Sequence, residues 1–149
     1  LIKVSNGIEV DLKVISEKLQ EEDNHPGAFY CEYSLFREIY QLETRSASRN
    51  GQSVYLCLLS VTDGNNHKVG NKKHQNAAMG QLRKAIQFSL RRGDVFTRYS
   101  VTQYLILLPT ISYENCEMVL KRIIRNFKAD NPHSKVTLTY KMQSIDQKI

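Results

Sequence analysis

Residues 91–109, Arg91-Arg92-Gly93-Asp94-Val95-Phe96-Thr97-Arg98-Tyr99-Ser100-Val101-Thr102-Gln103-Tyr104-Leu105-Ile106-Leu107-Leu108-Pro109, constrain the fold more than any other part of this chain. They read as two short strands, near 94–99 and 103–109, joined by a tight turn. β-Branched and aromatic residues fill the first, and an apolar run that ends in Leu-Pro fills the second. A hairpin with so apolar a second strand must bury at least one face against another layer.

The segments around the hairpin supply those layers. Ser53 to Val61 is a nearly continuous apolar run between turn signals, the pattern of a central strand covered on both sides. A helix near 74–92 carries Met79, Leu82, Ile86 and Leu90 along one stripe. Another near 112–128 carries Cys116, Leu120, Ile123 and Phe127 on one face, with Lys121, Arg122, Arg125 and Lys128 opposite. Lys135 to Tyr140 alternates as a strand. From residue 53 the order is β-α-β-β-α-β, which predicts an α+β, ferredoxin-like antiparallel sheet with helices on one face.

A long helix is predicted upstream, near 32–49, with Leu35, Phe36, Ile39, Tyr40 and Leu42 as its apolar positions and Asn50-Gly51 as its stop. Residues 1–27 form a polar lead-in or linker. There Asp11 can cap a short helix whose Leu12, Ile15 and Leu19 share a face. The break Glu21-Glu22-Asp23-Asn24-His25-Pro26-Gly27 is the best boundary, which leaves 28–149 as the domain.

Composition narrows the class. At 149 residues with 41% hydrophobic content, the chain can bury one real core and is not a disordered segment. No apolar run approaches the ~18 residues of a membrane span, and no signal-peptide pattern opens the chain. The expectation is a cytoplasmic protein. Because the sequence opens on Leu1, it reads as a fragment of a longer one. Cys31, Cys57 and Cys116 are widely spaced and odd in number, as buried reduced thiols would be. His67 and His74 flank Lys68, Lys72 and Lys73 without an accompanying thiol or carboxylate cluster, so no metal or other cofactor is expected. The net charge of +6 leans slightly toward an anionic partner, but solubility alone accounts for a charge of this size.

The hairpin closely resembles the signature hairpin of the GGDEF family, the diguanylate cyclases. That family reads roughly R-x-x-D-x-x-x-R-Y, then a five-residue turn, then an apolar strand ending in Leu-Pro. Both flanks are present here. The turn that should read Gly-Gly-Asp/Glu-Glu-Phe reads Ser100-Val101-Thr102-Gln103-Tyr104. The resemblance extends over roughly 28–145 and implies a degenerate member with the same β-α-β-β-α-β core.

What the resemblance implies about chemistry follows residue by residue. A cyclase holds two divalent metals with carboxylates from its first strand and its hairpin turn. The first-strand pattern, roughly L-L-x-D-x-D, is matched by Leu58-Leu59-Ser60-Val61-Thr62-Asp63. The first acid is Val61, and only Asp63 remains. Thr102 and Gln103 stand for the two acids of the turn, and Val101 for a glycine that approaches phosphate. The guanine-reading Asn falls at Val69, and the guanine-reading Asp at Ala78 or Asn76, depending on the direction of counting. The expectation is no cyclase activity and no metal site.

Arg91 and Asp94 survive at the family's inhibitory R-x-x-D site for cyclic di-GMP, with Arg92 and Arg98 adding charge nearby. An arginine fork suits phosphate or a guanine edge, and a carboxylate accepts from guanine nitrogens. The same pair can equally be structural, at a helix end and strand start, and that reading is preferred. Phe29 to Tyr40, with Glu43-Thr44-Arg45, also resembles a region found after activator domains in certain bacterial transcriptional regulators. The implied function is a non-catalytic regulatory or interaction module that pairs with itself or a neighbouring domain. DNA would be bound only through a domain outside this fragment. The alternative is a nucleotide sensor for a cyclic dinucleotide. An RNA-binding sheet is disfavoured, because Tyr55 and Tyr104 lie in runs that read as buried and no Gly-Phe-Gly-Phe-type motif is present.

Overall fold

The computed structural model describes residues 11–21, 26–63 and 72–145. In chain order the elements are α1 (Leu12–Leu19), β1 (Phe29–Tyr30), α2 (Tyr33–Asn50), β2 (Val54–Thr62), α3 (Lys72–Ser89), β3 (Val95–Ser100), β4 (Gln103–Pro109), α4 (Tyr113–Asp130) and β5 (Thr137–Ser144). The predicted β-α-β-β-α-β order from residue 53 is the one observed. The five strands lie in the order β1-β3-β4-β2-β5.

Alternation along the strands sends side chains to two faces. Cys57, Leu59 and Val61 of β2, Phe96 of β3, and Tyr104, Ile106 and Leu108 of β4 point to one face. They meet Met79, Leu82 and Ile86 of α3 and Cys116, Leu120, Ile123 and Phe127 of α4. The antiparallel register, with Cys57 opposite Ile106 and Leu59 opposite Tyr104, keeps these residues in step. Cys57 Sγ lies 3.5 Å from Cys116 Sγ. That hydrogen bond, with burial, pushes the Cys57 thiol up and holds it protonated. All three cysteines are buried and free.

The two helices of the β-α-β-β-α-β unit, α3 and α4, share one face as expected, and the upstream helix α2 takes the other. Val54 and Leu56 of β2, Val95 of β3, and Leu105 and Leu107 of β4 face the other way, and α2 covers them with Phe36, Ile39, Tyr40 and Ala47. An apolar second face needs its own cover, and burying a side chain such as Phe36 is worth about 1.5–3 kcal/mol. On α2 the stripe is narrower than read from sequence, since Leu35 and Leu42 are 40% and 65% exposed. Gly51, at φ +66°, closes the helix by donating its N–H to Ala47 O.

The sheet is also not wholly antiparallel. β1, unrecognised in the sequence because two residues carry no periodicity, pairs parallel to β3, with Phe29 beside Val95 and Tyr30 beside Phe96. It is seated by Gly27, at φ +77°, where a Cβ would stand 1.9 Å from Gln87 O. Ala28 N donates to that same oxygen. The sequence break at 21–27 therefore ends against α3 rather than in open linker. In α1, Asp11 accepts from Lys13 N as a cap, yet the Leu12, Ile15 and Leu19 face is exposed.

Candidate functional site

Two features of the hairpin come from adjacent local structure: the Arg91–Asp94 tie at its base and the turn at its tip. The tie begins where α3 stops. The helix ends at Ser89, short of the predicted 92, and Asp94 supplies the reason. Its Oδ2 accepts the Arg91 N–H at 2.8 Å, a donor that a continuing helix would give to the carbonyl four residues back. That carbonyl, on Gln87, takes Ala28 N instead. The Arg91 side chain then closes over the carboxylate, with Nε 3.3 Å from Oδ2 and a terminal nitrogen 3.0 Å from Oδ1. The same nitrogen donates to Pro109 O at 2.8 Å, at the far end of β4.

Asp94 is thus almost wholly buried, its side chain 3% exposed against 57% for Arg91. Its backbone N–H donates to Arg91 O, and its carbonyl accepts from Phe29 N. Together Arg91 and Asp94 fasten the end of α3, β1, β3 and β4. The other two basic candidates do not join this pair. Arg92 reaches Glu21 Oε2 at 3.0 Å. Arg98 lies four strand residues from Asp94, about 13 Å along β3. Its guanidinium is folded onto the turn, donating to Ser100 O at 3.2 Å and Val101 O at 2.9 Å. Of the four residues proposed from sequence, the fold brings two together.

At the tip, Ser100 pairs with Gln103, and the ladder shifts register between Arg98 and Ser100. The displaced Tyr99 is 54% exposed and stacks edge-on against Tyr33 at 5.5 Å. Among the described non-glycine residues only Thr110 has positive φ, so Val101 occupies ordinary backbone, as its β-branched side chain requires. The polar groups of the turn are consumed locally. Ser100 Oγ bonds Gln103 Oε1 at 2.9 Å, and Gln103 Nε2 donates to Ser60 Oγ at 3.1 Å. Thr102 N donates to Ser100 Oγ, and Thr102 O accepts from Val61 N at 2.8 Å. Tyr104 is buried and donates its hydroxyl to Met79 O at 2.8 Å, and burial pushes its pKa up to about 12.

Val61 is 1% exposed and belongs to the core under α3 and α4. Where the resemblance places a metal-binding carboxylate, the core holds the two methyls of a valine. With Thr102 and Gln103 turned inward, Asp63 is the one acid left at the four positions, and these residues do not fit a two-metal centre. Asp63 borders a cavity of about 600 Å³ between α3 and the loop after α4, lined also by His74, Ala78, Gln81, His133 and Lys135. Ala78 offers a methyl where the resemblance placed a guanine-reading acid, and Asn76 is exposed. Val69 and His67 lie outside the described residues. Sequence reasoning missed the 130–136 wall of this cavity. The turn cluster Asp130-Asn131-Pro132 was the available signal.

No family model matches the sequence, and no curated protein matches it. Solved structures do match. A DGC protein from Thermotoga maritima superposes with a TM-score of 0.64 at 14% identity, covering 80% of this chain and 86% of that one. The FimX GGDEF domain from Pseudomonas aeruginosa gives 0.62 at 16% identity, covering 88% and 83%. The GGDEF domain of DgcB from Caulobacter crescentus, in complex with c-di-GMP, gives 0.62 at 10% identity, covering 84% and 80%. This chain has the α+β fold of GGDEF domains.

Proposed function

We propose that the domain is a non-catalytic regulatory or interaction module of a bacterial transcriptional regulator, built on a degenerate diguanylate cyclase-like frame. The observation that carries this is the state of the four metal positions. Val61 is a core residue, Thr102 is buried and neutral, and Gln103 spends its amide on Ser100 and on Ser60 of β2. A cyclase must hold two divalent ions on hard oxygen ligands, and one carboxylate does not do so. The regulator context rests on the resemblance of residues 29–45. That stretch runs through β1 into α2, where Leu42 stays exposed and available for pairing with a second copy or a neighbouring domain. The test is incubation of the pure chain with GTP and Mg²⁺, followed by chromatography for cyclic di-GMP. No product above a mock preparation is expected, and product above it would overturn the reading.

One observation keeps a sensor in view: Arg91 is half exposed while Asp94 holds it in place. In this second reading a cyclic dinucleotide docks on the Arg91 guanidinium, as in the resemblance. Asp94 has little free surface left to read a base, which favours the structural role. Calorimetry with cyclic di-GMP separates the two. Binding abolished by Arg91→Ala supports a sensor, and absence of heat with the wild type removes it.

A further inference from the structure

We propose that the outer face of α3 and α4 is a docking surface for the phosphate backbone of double-stranded nucleic acid. The net charge of +6 is not spread evenly. α2, on the other side of the sheet, balances Arg37, Arg45 and Arg49 with Glu38 and Glu43. α3 carries Lys72, Lys73, Arg83 and Lys84 and no acidic residue, and α4 has no acid between Met118 and Ala129. The acids of α4 lie toward its ends, with Glu114 exposed in the first turn. Glu117 accepts from Tyr140 and pairs with Lys121, and Asp130 lines the cavity.

The packing sets the two basic helices side by side, although Arg83 is spent on the Tyr30 ring of β1, 3.8 Å from its centroid. Arg122 donates to Ser89 O at 2.6 Å and Asn126 to Ser89 Oγ at 2.9 Å, which clamps the end of α3 against the middle of α4. Both helices spend their apolar stripes on the core, so the faces turned outward are the basic ones. Lys84, Lys121, Arg125 and Lys128 are exposed there. Each helix has 18 residues, about 27 Å in length, and a duplex presents a phosphate charge about every 1.7 Å of axis. A polyanion of uniform charge matches a face whose centre has no carboxylate. A lipid surface fits less well, because the large apolar side chains exposed on the two helices are Phe88, Tyr113 and Met118 and no amphipathic stripe is left to insert.

The experiment is fluorescence anisotropy of a labelled mixed-sequence DNA duplex of about 20 base pairs, titrated with the chain. With about four phosphates contacted, affinity should fall on the order of 100-fold between 50 and 200 mM salt. Lys84→Glu with Arg125→Glu should weaken binding at least tenfold. Arg37→Glu with Arg45→Glu, an equal change of net charge on α2, should leave it within about twofold. Circular dichroism checks that both variants fold, and if the first pair does not, Lys84→Gln with Arg125→Gln replaces it. No binding at 50 mM salt overturns the proposal. So does equal weakening by the two pairs, which would mean net charge alone. Binding to phosphatidylserine vesicles with none to duplex would reassign the face to membrane and equally overturn it.

Discussion

At the scale of single residues, Asp94 ties the base of the hairpin and Val61 fills the core under α3 and α4. Asp94 is a buried carboxylate with three donors from one arginine. Charge-assisted hydrogen bonds of this kind contribute about 1.5–3 kcal/mol each, although the half-exposed guanidinium is partly screened by water. Asp94→Ala should therefore destabilise the fold by roughly 2–3 kcal/mol, lowering the melting temperature by roughly 6–12 °C at about 3–4 °C per kcal/mol. Differential scanning calorimetry measures this. A change under 2 °C would show that the tie is not structural. Val61 makes the converse point. Val61→Asp puts a carboxylate on β2 in the core cluster that holds Leu59, Met79 and Leu82. Burying an unpaired carboxylate should cost on the order of 3 kcal/mol or more. A denaturant titration showing no loss would mean that this part of the core opens to water.

Elements reveal a different dependence. β1 is two residues long and cannot hold itself in a sheet, so its place depends on what seats it. Gly27 does so by coming close to Gln87 O, where any side chain would collide with backbone. Gly27→Ala combines that collision with strain at positive φ. The expected result is release of β1 from β3, seen as faster hydrogen exchange at Phe29 and Cys31, whose amides bond Asp94 O and Phe96 O. The amides of β2 and β4 should keep their protection. Unchanged exchange at Phe29 would refute the role given to Gly27. The same logic explains why α2 is attached firmly and α1 is not. α2 supplies Phe36 and Ala47 to a buried cluster, whereas α1 buries none of its residues.

For the whole molecule, the buried Tyr104 ties stability to alkaline pH. Tyr104 sits under α3 with its hydroxyl on Met79 O, and burial raises its pKa from 10 to about 12. The unfolded chain then loses this proton before the folded one does. The contribution is intact below pH 10 and is lost as pH rises through about 12, amounting to at most about 3 kcal/mol at 1.36 kcal/mol per pKa unit. Urea midpoints should fall between pH 10 and 12, and Tyr104→Phe should flatten part of that slope while costing about 1 kcal/mol at neutral pH for the lost hydrogen bond. An identical slope in the variant would assign the alkaline loss to other groups.

The sequence by itself determined the element order, the hairpin and the residues of the main core. Periodicity is a local signal, and the stripes Met79-Leu82-Ile86 and Cys116-Leu120-Ile123-Phe127 bury as their spacing demands. It also showed Val61, Thr102 and Gln103 at positions where the resemblance places acids, with Asp63 the one acid kept. Tertiary structure decided the rest. That α2 covers a second face depends on Leu56, Leu105 and Leu107 meeting across strands distant in sequence. That Arg91 and Asp94 bind each other, while Arg92 and Arg98 turn to Glu21 and the turn backbone, depends on which partners the fold brings within reach. A short strand such as β1, and a cavity wall drawn from 130–136, have no periodic pattern to announce them. Long-range contacts are set by packing, because only the folded chain brings those surfaces together.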